Sequence, residues 1–184
     1  MTQPALYVLR HGETDWNVEG RLQGALDSPL TAKGRAQARR QADILSHAGV
    51  DAPIYSSPQG RARQTAQIIA DQLGRHVVQN DALREVSMGP WDGQLITDVA
   101  PANPDDPVLW KFDAPGADRL SDMQNRLRAF VQTLDTSAVL VTHGVTSRVL
   151  RAQLLGVPDT AIASLPGGQG VVFRISQGLQ RKLD

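Results

Sequence analysis

Ala5-Leu6-Tyr7-Val8-Leu9-Arg10-His11-Gly12-Glu13-Thr14 runs from an apolar stretch directly into a basic, glycine-containing turn. A short apolar run bounded in this way predicts a buried strand of an α/β sheet. Ligands of such sheets bind beyond the carboxyl ends of the strands, so Arg10 and His11 are delivered to the edge where chemistry takes place. Ala138-Val139-Leu140-Val141-Thr142 repeats the arrangement far along the chain and again ends in His-Gly, at His143-Gly144. If the two strands are neighbours, His11 and His143 face each other across one pocket.

Working outward from the first strand, Trp16 to Pro29 reads as a loop rich in Gly and Asn/Asp. Thr31 is placed to cap a helix whose apolar face carries Ala38, Ala42 and Leu45, with Gly49 to close it. Pro53-Ile54-Tyr55-Ser56 is a second strand, followed by a helix with Ala62, Ala66, Ile69 and Leu73 on one face and Gly74 at its end. His76-Val77-Val78 is a third strand candidate, leading to Leu83-Arg84-Glu85. Residues 89–119, which hold many of the prolines with Trp91 and Trp110, read as a small lid insertion. Met123, Leu127, Phe130 and Leu134 mark a helix before the Ala138 strand, and Val145, Val149 and Ala152 mark one after it. Gly170 to Ile175 is the last strand. Alternating strands and helices predict a three-layer α/β/α sandwich around a mainly parallel sheet, in a single domain spanning residues 1–184.

The composition narrows the function classes. At 184 residues and 41% apolar content the chain suits one globular core. Its 19 basic and 19 acidic residues cancel, so no global field recruits nucleic acid or an anionic membrane. The absence of cysteine removes disulfides, thiolate metal sites and thiol nucleophiles. The start Met1-Thr2-Gln3-Pro4 carries no basic segment before the strand, and no apolar run reaches membrane-spanning length, so a cytoplasmic location is expected.

Two histidines accompanied by Arg10 and Arg61 suit a phosphoryl group rather than a metal ion, because guanidinium groups match phosphate oxygens and repel cations. Arg61 stands at the start of the second helix, whose amino terminus is expected to add attraction for phosphate. Phosphoryl transfer needs a nucleophile, donors to the equatorial oxygens and a proton for the leaving oxygen. A neutral imidazole can attack phosphorus when its other nitrogen donates to a fixed acceptor. Glu85 is the candidate acid, since a neighbouring phosphate dianion opposes its charged form. Asp92 is the rival acid. Glu85 can alternatively be a cap or ion-pair carboxylate, and Arg61 an ordinary helix-surface arginine like Arg63. His47 at a helix end and His76 at a strand start are assigned structural roles, as are Trp91 and Trp110. His11 is expected at the surface, so that its replacement by alanine leaves no core cavity.

Leu9 to Thr14, with Asn17 and Gly20-Arg21-Leu22-Gln23-Gly24 behind it, resembles the signature of the histidine phosphatase superfamily, in its phosphoglycerate mutase-like branch. The similarity continues through Asp27-Ser28-Pro29-Leu30-Thr31, Ser57-Pro58 to Ala62, Gln64-Thr65-Ala66, Leu83-Arg84-Glu85 and Val141-Thr142-His143-Gly144. The resemblance implies a phosphoglycerate mutase-like fold, His11 as a nucleophile forming a phosphohistidine, and Arg10, Arg61 and His143 as phosphoryl ligands. It further implies Glu85 as proton donor, Asn17, Gln23 and Gly144 in the substrate pocket, and neither metal nor cofactor. His143 is expected to be protonated and to stabilise charge in the transition state.

The interval from Glu85 to His143 is short, and Val86-Ser87-Met88-Gly89-Pro90-Trp91-Asp92-Gly93 is similar to the phosphatase type rather than the mutase type. The expected activity is hydrolysis of a small phosphorylated metabolite, such as a sugar phosphate, phosphoglycerate or α-ribazole phosphate. The alternatives are a phosphoglycerate mutase and a catalytically idle protein that binds a phosphorylated ligand. Pro115-Gly116-Ala117-Asp118-Arg119 replaces the Gly-Gly-Glu-Ser turn of many relatives. Lys111 and Arg119 are read as solvated lid charges, with a second anionic group of a substrate as the other reading. The assembly is expected to be a monomer or homodimer.

Overall fold

The computed structural model describes residues 4–102 and 106–184. Met1 to Gln3 and residues 103–105 of the insertion lie outside the described residues. The elements follow in the order β1 (Leu6–Arg10), α1 (Asp15–Glu19), α2 (Ala32–His47), β2 (Ile54–Ser56), α3 (Gly60–Leu73), β3 (Val77–Gln79), α4 (Ile96–Val99), α5 (Leu120–Gln132), β4 (Ala138–Thr142), α6 (Gly144–Leu155), β5 (Val172–Ser176) and β6 (Leu179–Leu183).

These strands form one six-stranded sheet in the order β3-β2-β4-β1-β5-β6. The β3, β2, β4 and β1 strands are mutually parallel, whereas β5 is antiparallel to β1 and β6 in turn antiparallel to β5. Both faces are covered, which is why β1 and β4 read as continuous apolar runs rather than alternating ones. Side chains nonetheless alternate between the layers. Leu6, Val8, Ala138 and Leu140 join Met123, Leu127, Phe130 and Val149 from α5 and α6. Leu9, Val139, Val141 and Ile54 join Ala42, Leu45, Ala62, Ala66 and Ile69 from α2 and α3. Each fully buried leucine stabilises the fold by about 1.5–3 kcal/mol relative to an exposed one.

The local signals read from the sequence act as expected. The Thr31 side chain accepts from the Gly34 N–H at 3.0 Å and opens α2. Gly74 closes α3 in the left-handed conformation, at φ 64°.

Three elements differ from the sequence reading. The Trp16 to Pro29 segment is not wholly loop, because Thr14 and Asn17 form a reciprocal capping box that starts α1. Five residues are too few to display helical periodicity. The final strand is followed by a second one, β6, joined through Gln177 and Gly178, both at positive φ. Such a two-residue turn matches the twist of a hairpin. β6 escapes recognition because it is a half-exposed edge strand, Leu-Gln-Arg-Lys-Leu, without an apolar run. Leu134 lies beyond the end of α5. Among the described residues no helix is long and apolar enough to cross a membrane.

The register of β1 and β4 builds the site. Leu6 pairs with Ala138 and so on to Arg10 with Thr142, so the next residue of each strand is a histidine. His11 donates its backbone N–H to Thr142 O at 2.9 Å, which carries the pairing one residue past the strands.

Candidate active site

His11 and His143 lie side by side at the carboxyl edge, with ring centroids 5.3 Å apart. Both are buried rather than at the surface, His11 at 2% and His143 at 0% exposure. The expectation of a surface strand end for His11 is therefore corrected: the turn after β1 packs under α2 and the α3 threonine Thr65, which accepts from the Gly12 N–H at 3.0 Å.

The tautomer of His11 follows from its neighbours. Nδ1 is 2.7 Å from Gly12 O, which can only accept, so Nδ1 carries the proton and Nε2 keeps its lone pair. Burial holds the His11 imidazole well below its ordinary titration range, and the charges of Arg10 and Arg61 push the same way. His11 is a neutral nitrogen base in a fixed orientation.

His143 is lowered in the same manner, by burial first and then by Arg61, His11 and Arg10. The expected protonated His143 is thus corrected for the free site, because a third cation beside two guanidinium groups in a buried pocket is too costly. Its Nε2 lies 2.8 Å from Ser57 Oγ, and its Nδ1 is buried with no hydrogen-bond partner.

Arg61 is 1% exposed and is no surface arginine. Its Nη1 donates to Leu26 O at 2.6 Å and to Asp27 Oδ1 at 2.9 Å, while Nη2 donates to Gly24 O at 2.9 Å. These acceptors lock the guanidinium and leave Nε buried without a partner. Asp27 also accepts from the Gly60 and Arg61 N–H groups. The amino terminus of α3 is consequently occupied by a carboxylate, which corrects the expectation that it is open to phosphate.

Arg10 Nε is a further buried donor without a partner. The Arg10 backbone carbonyl accepts from Gln41 on α2 at 3.0 Å, which ties the end of β1 to the helix layer.

Glu85 follows a short 3-10 turn, Asp81–Leu83. Its carboxylate accepts from the Val145 and Thr146 N–H groups at the start of α6, each at 3.0 Å. The Thr146 hydroxyl lies 2.8 Å from Oε1. Gln59 Oε1, just before α3, accepts from the Glu85 N–H at 2.8 Å, so that residue holds the Glu85 backbone while the start of α6 holds its carboxylate. The rival acid Asp92 instead accepts from the Ala25 and Met88 N–H groups and does not line the cavity.

One cavity of about 310 Å³ joins these groups, lined by Arg10, His11, Arg61 and Glu85. Asn17, Gln23 and Gly144 also line it, so every residue placed in the substrate pocket from sequence reaches it except His143, which packs against His11. Asn17 is steadied by Gln169, whose amide donates to Asn17 Oδ1 at 3.0 Å. Trp110 is buried and contacts Trp91 at a centroid distance of 5.7 Å, consistent with packing roles. Arg119 caps the start of α5 in solvent, as a solvated charge should. Lys111 instead lines the cavity, together with Arg148 and Arg21. Arg148 was not singled out in the sequence; its signal is its place one turn along α6 from Gly144, on the face toward the pocket.

Three buried nitrogen atoms without partners belong to Arg10 and Arg61, which line the cavity with His11, and to His143, whose ring lies against that of His11. Leaving a buried polar group unpaired costs about 1–3 kcal/mol, so their clustering marks a place built for a ligand that accepts several hydrogen bonds. A tetrahedral oxyanion with an electrophilic centre meets both requirements.

Comparisons with known proteins point to one family. The family model of the histidine phosphatase superfamily, branch 1, matches residues 6–180. Phosphoserine phosphatase 1 of Hydrogenobacter thermophilus is 35% identical over 162 residues, covering 83% of this chain and 76% of that protein. A Serratia proteamaculans protein named "Probable phosphoglycerate mutase GpmB" is 34% identical over 170 residues, covering 85% of this chain and 77% of its own. The solved structure of a mycobacterial glucosyl-3-phosphoglycerate phosphatase in complex with VO3 superposes with a TM-score of 0.82 at 32% identity, covering 98% of this chain and 97% of that one.

Proposed function

For a chain that belongs to branch 1 of the histidine phosphatase superfamily, we propose hydrolysis of a small phosphomonoester through a phosphohistidine on His11, without a metal ion. The observation that carries this reading is the set of unpartnered buried nitrogens on Arg10, Arg61 and His143 beside the neutral, oriented imidazole of His11.

In the first step His11 Nε2 attacks phosphorus in line with the ester oxygen, and the phosphorus–oxygen bond to the alcohol breaks as the phosphorus–nitrogen bond forms. Arg10 and Arg61 take the equatorial oxygens, supplying the charge a metal would otherwise bring. His143 donates from Nδ1 without being an imidazolium if its Nε2 accepts from the Ser57 hydroxyl. Protonated Glu85 gives its proton to the departing alkoxide. In the second step water attacks the phosphohistidine, the Glu85 carboxylate takes the water's proton, and phosphate leaves with His11 restored. Asn17, Gln23 and Gly144 bound the phosphoryl pocket. The segment 89–119 serves as a lid within a single domain, a role supported by Ile96, Pro107, Val108 and Lys111 lining the cavity.

The test is turnover of para-nitrophenyl phosphate and a panel of natural phosphomonoesters in excess chelator, by wild type and His11→Ala. Turnover that survives chelation and vanishes in the variant is expected, with acid-labile phosphate trapped on wild type alone. Release of inorganic phosphate by His11→Ala at the wild-type rate overturns the proposal. Transfer of the phosphoryl group between hydroxyls in preference to water selects the mutase reading, which the likeness to GpmB-type proteins favours.

A further inference from the structure

The cavity carries more positive charge than a phosphoryl group uses. Arg10 and Arg61 belong to the phosphoryl cradle, and Arg21 is paired with Glu19 at 2.6 Å. Lys111 and Arg148 line the same cavity in addition. Among the described residues neither has a carboxylate within ion-pair distance.

Their own contacts leave charge to spare. Arg148 Nε donates to Leu165 O at 3.1 Å, and its Nη1 is 3.4 Å from Gly144 O, so only neutral carbonyls hold it. Its Nη2 occupies space that a side chain at 167 would fill, since a Cβ on Gly167 would stand 2.4 Å away. Lys111 is carried by the 3-10 segment Leu109–Asp113, and its Nζ lies 4.7 Å from the Trp110 ring centroid. Burial lowers the Lys111 amine from its ordinary value; Glu85 opposes that shift, and Arg148 and Arg10 reinforce it.

Among the described residues, Glu85 is the sole carboxylate that lines the cavity. It is already engaged by the α6 N–H groups. Lys111 and Arg148 line the cavity together with Glu85, the proposed proton donor to the leaving alcohol. Once a phosphate dianion has matched Arg10 and Arg61, two cations of the cavity wall remain for the rest of the ester.

We propose that Lys111 and Arg148 form a second anion-binding subsite, and that the site selects phosphomonoesters whose alcohol portion bears another anionic group, a carboxylate or a second phosphate. The subsite rests on the phosphatase reading for its orientation. Met88, Val108 and Val145 add apolar walls to the cavity of about 310 Å³ that would receive the alcohol portion.

Matched pairs test the subsite. The carboxylate arm compares 3-phosphoglycerate with glycerol 3-phosphate, and the phosphate arm compares fructose 1,6-bisphosphate with fructose 6-phosphate. In at least one arm wild type should prefer the doubly anionic member by about tenfold or more in kcat/KM, the effect of one charged hydrogen bond. Lys111→Met should reduce that ratio to below about threefold, and Lys111→Arg should preserve it. The same pairs are titrated calorimetrically against inactive His11→Ala protein, with and without Lys111→Met, so that the ratio is read without turnover. Ratios near one in both arms, or equal losses for both members in Lys111→Met, overturn the subsite. Absence of wild-type turnover on every ester overturns the phosphatase reading instead, while the calorimetric ratio still decides the subsite.

Discussion

Replacing Gly34 by alanine sets two effects against each other, and the tertiary contact should win. In an isolated helix this change is stabilising by about 1 kcal/mol. Here a Cβ on Gly34 would sit 2.0 Å from Glu13 O, a backbone atom that cannot rotate aside. The facing Gly12 has the same constraint, since its Cβ would lie 2.2 Å from Gly34 O. The turn after His11 and the start of α2 must separate by more than about 1 Å to reach ordinary contact. That separation strains the Thr31 N–H bond to Glu13 O, now 2.9 Å, and the Glu13 N–H bond to Gln37 Oε1, now 2.8 Å. Overpacking of about 1–3 kcal/mol and weakened hydrogen bonds of about 1 kcal/mol, less the propensity gain, leave a net loss of about 2 kcal/mol. For a chain of this size the melting midpoint should fall by about 4–8 °C. Activity should fall further, because Gly12 O moves with the turn and it alone sets the proton on His11 Nδ1. A displacement of this size at a nucleophile costs about a hundredfold in rate. Calorimetric melting and para-nitrophenyl phosphate turnover check both. A raised melting midpoint with wild-type turnover refutes the close-contact argument.

Two further outcomes follow from the site. Both histidines titrate lower in the folded protein than the ordinary 6.5, so below that pH the unfolded chain binds protons that the folded one does not. Stability is then present in full above about pH 6.5 and is lost as pH falls below it, by a limiting slope of about 1 kcal/mol per pH unit for each histidine. Urea unfolding at pH 6.5 and 5.5 should reveal this loss, and a variant with His11→Ala and His143→Gln should flatten it; an equally steep variant contradicts the assignment. Glu85→Gln should slow alkyl phosphomonoesters by about a hundredfold more than aryl phosphates, whose leaving groups need no proton. Equal losses on both would remove Glu85 from the acid role.

The sequence on its own determined the sheet's central strands and the residues they deliver. Apolar runs at Leu6 to Leu9 and at Ala138 to Val141 are unambiguous because a strand buried on both faces has no polar alternation to dilute it. Arg10, His11, Arg61, Glu85 and His143 were nameable because their residue types at strand and helix ends fit phosphoryl chemistry, and Asn17, Gln23 and Gly144 because the blocks around them resemble the family signature. The tertiary structure decided what depends on neighbours from distant segments. The pairing of Arg10 with Thr142 sets His11 against His143, and a one-residue slip in register would have separated them. Asp27 covers the start of α3, Asp92 is committed to loop contacts, and Lys111 turns inward rather than to solvent. The protonation of the two histidines belongs to the same class. Charge on a buried imidazole is set by desolvation and by the guanidinium groups folded against it, and neither can be read along the chain.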